Sequence, residues 1–297
     1  MRTNVRRRRG AGLAALSVFV SAAVAACSTT DQATSIAASS PLLVAPVESL
    51  PLTLASAPAY RVDTSSPRVV GRIVGSVQYD GTLPPDTLVR PTHDLGICRA
   101  IPDGPIVGTA AGVGDAVVWL VGVTSGPPDD APRRVQLSLE GCAIKPRVQR
   151  APVGATLLVR SGDAMDVRLR FLDIKTDLTT LPAATPDSSR PVTPPPPPRA
   201  LVPLGNAGAV VPLTSILQTP GLVEVRDDRH PWIKGWIAVA PNPYLVITDG
   251  NGQFALEDVP PGSYVLVTWH ERLGRLATPV HVDAGIETRV RVLLPAR

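Results

Sequence analysis

The sequence predicts an all-β protein of two β-sandwiches behind an export signal and a tether. Three observations carry that prediction. Glycine and proline are abundant, 24 and 33 in 297 residues, and aromatic residues are scarce, which favours short strands and tight turns over helices. Apolar and polar residues alternate over short runs. No heptad pattern, long amphipathic helix or internal repeat is present. A chain of this length suffices for one or two domains with a real core.

The N-terminus comes first. "MRTNVRRRRG" is a basic segment and "AGLAALSVFVSAAVAA" an apolar one, so residues 1–26 read as a secretory signal. Val24-Ala25-Ala26-Cys27 resembles the lipobox of bacterial lipoproteins. The resemblance implies cleavage before Cys27, acylation of that cysteine and attachment to the membrane through lipid. The alternative is an uncleaved anchor, for which the apolar run is short. Ser28, where retained lipoproteins of this type commonly carry aspartate, implies the outer membrane, facing the periplasm or the cell surface. Arg6 to Arg9 lack the rest of a twin-arginine motif.

Five of the 29 basic residues, Arg2 and Arg6 to Arg9, lie in the signal, and no acidic residue does. The remainder holds 24 basic against 25 acidic groups, a net charge of −1. The basic balance belongs to the export signal, and no electrostatic case for nucleic acid remains. With Cys27 assigned to lipid, Cys98 and Cys142 are left in an oxidising compartment, where a disulfide is the expected fate. Two free buried thiols, or metal ligation, are the alternatives.

Residues 27–70 are rich in Ser, Ala, Thr, Pro and Val without periodicity and read as a flexible tether. "GRIVGSVQYDG" from Gly71 begins the alternation of a first strand. "DAVVWLVGV", 115–123, is continuously apolar and reads as a buried strand. "RVQLSLEGC", "ATLLVR" and "DVRLRFL" follow as strands. Residues 182–200 include Pro194 to Pro198, a stiff polyproline run, and read as an exposed loop between strands. Strands resume at "GLVEVR" and "GWIAVA".

The C-terminal stretch has the clearest pattern. Turns are expected at Asp249-Gly250-Asn251-Gly252 and at Pro261-Gly262, the second as a type II turn. In "SYVLVTWH", Val265, Val267 and Trp269 share one face, and Tyr264, Leu266 and Thr268 the other. In "ETRVRVLL", Val290, Val292 and Leu294 point inward and Arg289 and Arg291 outward. These alternations predict a half-buried antiparallel sheet.

Two family resemblances are carried by these motifs. Thr248, Asp249, Gly252, Phe254, Pro261, Gly262 and Tyr264 are spaced as in carboxypeptidase regulatory-like modules, which are transthyretin-like β-sandwiches related to carbohydrate-binding-like folds. The resemblance implies a scaffold built from 71–126 plus 241–297, with no shared chemistry. Residues 127–240 resemble a cupredoxin, also a Greek-key-type sandwich. The matching segments are Cys142 with Pro146, Gly154 with Leu157 and Leu158, "RSGDAMDVRLR" and "DDRHPWIKGWIAV", followed just beyond residue 240 by "PNPYLVITD", so that the order of segments agrees over about 71–297.

The departures from that pattern decide the functional expectation. A blue-copper site needs two imidazole nitrogens and a thiolate, usually with an axial thioether. Asp163 matches the family's aspartate, but Val167 stands at the first histidine and Arg168 at its asparagine neighbour. Asp227 stands at the cysteine and Ile233 at the methionine, so His230 alone is left. In "DVRLRFL", Val167, Leu169 and Phe171 share a face, which turns the first ligand position into core. A one-residue slip would instead bring Asp166 towards His230 and, with Asp227, make a weak site of mixed nitrogen and oxygen donors. Asp166, Asp227 and His230 are therefore the residual metal candidates.

The remaining clusters read as structural. Trp232 and Trp236 are expected to be buried, with His230 hydrogen-bonded to a carbonyl or to Asp227. Trp269-His270-Glu271 places histidine and glutamate on opposite faces, so packing and turn support are expected. His93 and His281 read as isolated. No Gly-x-Ser-x-Gly, His-Glu-x-x-His or phosphate-cradling glycine loop is present. The expectation is an exported, lipid-anchored, non-catalytic module of the cell envelope without copper or other cofactor, whose partner is an envelope protein or a glycan. A copper electron-transfer protein and a carbohydrate-binding module are the rival readings.

Overall fold

The computed structural model describes residues 42–43, 59–65, 69–81, 88–102, 111–174 and 197–295. The signal, Cys27, most of the tether and most of the loop 182–200 lie outside the described residues.

The described residues form strands throughout. In the first part these are β1 (Leu42–Leu43), β2 (Arg61–Val62), β3 (Gly71–Asp80), β4 (Leu88–Val89), β5 (Ile101–Pro102), β6 (Val117–Val121) and β7 (Ser125–Gly126). The middle holds β8 (Arg134–Glu140), β9 (Ala143–Lys145), β10 (Val148–Pro152), β11 (Thr156–Ser161), β12 (Val167–Ile174), β13 (Ala200–Leu204), β14 (Val210–Leu213), β15 (Gly221–Asp227) and β16 (Lys234–Ala240). The last part holds β17 (Leu245–Ile247), β18 (Gln253–Val259), β19 (Gly262–His270), β20 (Gly274–Val282) and β21 (Glu287–Pro295).

Four sheets stack as two sandwiches. The first sandwich faces the sheet β1-β21-β3-β18 against β17-β6-β19-β20. Between them lie Ile73, Val77, Leu120, Phe254, Leu266, Val290, Val292 and their neighbours, all buried. The second sandwich faces β10-β16-β15-β12-β13 against β14-β11-β8-β9 around Leu137, Leu157, Val167, Phe171, Val225 and Ile237. Each fully buried side chain of this size contributes about 2 kcal/mol against leaving it in water.

A third apolar layer joins the two sandwiches. Val117, Trp119 and Val121 of β6, Leu245 of β17 and Val267 of β19 meet Val148, Leu222, Trp236, Ala238 and Ala240. That layer explains why β6 is apolar at every position: alternate residues serve two cores. It also corrects the expectation of a half-buried sheet, since the second face of β6 and β19 is covered by the second sandwich. At the edge of this layer Arg147 grips Glu271 through two nitrogens, at 2.5 and 3.0 Å, and its guanidinium lies 5.2 Å over the Trp236 ring.

Two further expectations are corrected. The last strand, β21, pairs with β3 in parallel over Glu287–Pro295, not antiparallel. Its inward and outward residues nonetheless alternate as read: Val290, Val292 and Leu294 are buried, Arg289 and Arg291 exposed. Gly262 has φ 159° and opens β19, far from the corner of a type II turn at about +80°. Gly252 does turn at positive φ, 76°, where a Cβ would lie 2.2 Å from the Val77 carbonyl. The end of the tether is also partly tied down. Arg61–Val62 pairs with Ser125–Gly126, and the Tyr60 hydroxyl donates to the Pro127 carbonyl at 2.6 Å.

Candidate functional site

The candidate site lies at one end of the second sandwich, where β15 hands over to β16. Asp227 is the last residue of β15, opposite Leu169 of β12. The chain then turns through 228–233 and closes by Ile233 N–H donating to the His230 carbonyl at 2.8 Å.

Asp227 organises this turn. One carboxylate oxygen, Oδ1, accepts the Arg229 N–H at 2.7 Å and the His230 N–H at 3.0 Å, and faces His230 Nδ1 at 3.2 Å. The other, Oδ2, accepts the Arg168 N–H at 2.6 Å. The side chain is 2% exposed, and these donors replace the water it has lost. Aspartate therefore suits a position surrounded by backbone N–H groups.

His230 is fully buried. Its Nε2 lies 2.7 Å from Oδ2 of Asp94, a residue of the segment between β4 and β5. Both ring nitrogens thus face carboxylate oxygens. The pairing holds the Asp94 carboxyl below the usual range, chiefly through the hydrogen bond to His230, with desolvation opposing it. His93 lies nearly parallel to Trp232, centroids 6.4 Å apart, and edge-on to His230 at 6.1 Å. The reading of His93 as isolated is corrected here.

The residues flanking His230 are apolar. Val167 is buried in the core opposite Leu204, and Ile233 is buried with it. The one-residue slip does not occur: Val167 keeps the inward phase and Asp166 is exposed. Asp166 therefore takes no part, and Asp94 supplies the second carboxylate instead. Asp163 accepts the N–H groups of Gly141 and Cys142 at 2.9 and 2.7 Å. Both residues have positive φ, 63° and 61°, so this carboxylate stabilises the turn between β8 and β9. Cys142 in that turn is disulfide-bonded to Cys98.

Copper does not fit this arrangement. Asp227, which the sequence resemblance sets at the thiolate, is a carboxylate already accepting three backbone N–H groups. Val167 and Ile233, which it sets at the first imidazole and the thioether, are core, and each nitrogen of His230 is directed at an aspartate. Among the described residues, no group of three or more His, Cys, Asp or Glu side chains is placed to hold a metal ion.

Elsewhere, His270 is buried and accepts the Arg272 N–H on Nδ1 at 3.3 Å. Desolvation, aided by Arg272 and Arg147, pushes its pKa down to about 4. Glu271 points away, to Arg147, as the alternation requires. His281 is exposed beside Ser263 and Asp283.

No protein-family model matches the chain, and no curated protein matches it. Solved structures do. A copper-containing nitrite reductase from Thermus scotoductus SA-01 aligns at 23% identity over 36% of this chain, with a TM-score of 0.25, and the alignment spans only 22% of that protein. A purple cupredoxin from Nitrosopumilus maritimus aligns at 17% identity over 36% of this chain and 99% of its own, TM-score 0.23. Auracyanin from Roseiflexus castenholzii aligns at 17% identity over 38% and 100%, TM-score 0.25.

Proposed function

We propose that this chain is a non-catalytic binding or structural module of the cell envelope, lipid-anchored through Cys27, whose cupredoxin-like half has lost its copper site. The observation that supports it is the fate of His230: the one imidazole left by the motif is closed on both nitrogens by Asp227 and Asp94. Valine and isoleucine fill the neighbouring positions with core.

Among the two classes of partner, a protein suits this surface better than a glycan. A sugar-binding face presents exposed aromatic rings. Here Trp119, Trp232, Trp236 and Tyr244 are buried, and Trp269, Tyr60, Tyr79 and Tyr264 are partly buried. Among the described residues no row of exposed rings remains.

Titration of the purified, oxidised chain with Cu(II) tests the loss of the site. The expected result is no thiolate-to-copper absorption band and no stoichiometric binding. A visible band, or one equivalent bound tightly, overturns the reading. Replacing Cys27 by serine tests the anchor: the chain should leave the membrane fraction, and one that stays there contradicts a lipid attachment.

A further inference from the structure

Residues 88–102 form a cap over the end of the second sandwich. Its base is a two-residue ladder, Leu88 opposite Pro102 and Val89 opposite Ile101. Between them the chain turns at Asp94, φ 51°, whose carbonyl accepts the N–H groups of Ile97 and Cys98, each at 2.8 Å. Val89 and Ile101 are half-buried against the core below. The rest of the cap buries little: Leu88, Leu95 and Ile97 are all exposed.

Two directional ties therefore carry the cap. One is the disulfide from Cys98 to Cys142, in the turn between β8 and β9. The other is Asp94 against Nε2 of His230, with 29% of the Asp94 side chain exposed and none of the His230 side chain. His93 lies beside Trp232 in the same contact. The cap covers a cluster that combines an imidazole, a buried carboxylate and an indole: His230, Asp227 and Trp232.

We propose that the cap is thiol-gated: reduction of Cys98–Cys142 releases residues 88–102 and uncovers His230 and the Trp232 face. A dithiol reductant supplies the electrons. Its thiolate attacks one cysteine sulfur, the S–S bond breaks, and a mixed disulfide forms. Its second thiolate then displaces that cysteine. Cys98 and Cys142 end as thiols with two protons, and the reductant as a disulfide. Both cysteines are buried, so the attack needs the cap to lift first. Lifting breaks the Asp94–His230 contact, which couples the two ties. The proposal goes beyond the loss of copper and does not depend on it.

The test uses the full chain in three forms: oxidised, reduced with dithiothreitol, and Asp94→Gly. Glycine removes the carboxylate while tolerating the positive φ at that position. Amide exchange and carbethoxylation of histidine by diethyl pyrocarbonate are read by peptide mass spectrometry. In the oxidised chain His230 should stay unmodified. On reduction, exchange within 88–102 and modification of His230 should both rise by at least about tenfold, with β15 and β16 unchanged. Asp94→Gly should be reduced about tenfold faster than the native chain, because the cap opens more often.

A His230 still shielded after reduction overturns the proposal. So does a rise in β15 and β16 exchange together with the cap, which would mean that the bond staples the whole sandwich. An unchanged reduction rate in Asp94→Gly overturns the coupling. Cys98→Ser with Cys142→Ser, reading out the same peptides without reductant, checks that dithiothreitol itself is not the cause.

Discussion

Two buried histidines in this molecule sit in opposite electrostatic surroundings. His230, at the end of the second sandwich, is held between Asp227 and Asp94. His270, at the joint between the sandwiches, accepts a backbone N–H and is flanked by the charges of Arg272 and Arg147. The adjacent Glu271 does not help, because strand alternation turns it towards Arg147. Burial alone therefore does not decide what a histidine does. The neighbours that the strands bring to it do.

The comparison is broken most severely at Asp227. Asp227→Ala leaves three backbone N–H groups without their acceptor and His230 Nδ1 without its carboxylate neighbour. Removing one partner of a buried charged network costs about 3–5 kcal/mol, so a urea titration should show a loss of this size. A loss below about 1 kcal/mol would mean that water replaces the carboxylate and that the turn is not organised by it.

Next comes pH, which acts on His270. Its folded pKa, about 4, lies below the ordinary value of 6.5. The unfolded chain therefore takes up the proton first as pH falls. Stability should be intact above pH 6.5, decline between 6.5 and 4, and level off below, as far as this residue is concerned. The full contribution is about 3 kcal/mol. His270→Gln should flatten that part of the profile, measured as unfolding free energy against pH. An unchanged slope would assign it to other groups.

The smallest effect belongs to Asp166. It is exposed and outside the site, so Asp166→Ala should change stability by no more than about 0.5 kcal/mol. A larger loss would show that the strand visits the shifted register.

Much of the fold was legible as periodicity, and the exceptions share a cause. The alternation in 71–80 and 287–294 gave strands and faces because each strand keeps one face on a core. Among the strands of four or more residues, those missed were β10, β13, β14 and β20, which contain Pro152, Pro203, Pro212 and Pro279. All four are edge strands of their sheets, the place where a residue without an N–H is tolerated. Proline masked them in the sequence for the reason that put them at the edge. At the site, the inward phase of Val167 was readable because it depends only on its own strand. Asp94 was not, since it reaches His230 across 136 residues through a segment with little pattern of its own. The cysteine pair was the one signal available, because it ties Cys98, four residues beyond Asp94, to the same sandwich.

The central claim is that His230 is closed to metal by its two carboxylates. Nitrogen-15 spectra of the histidine rings in the oxidised chain, recorded while diamagnetic Zn(II) is added, test it directly. The account predicts that the exposed rings of His93 and His281 shift first, while the His230 ring signals stay in place through one equivalent. A shift of the His230 signals first, saturating at one equivalent, would contradict it.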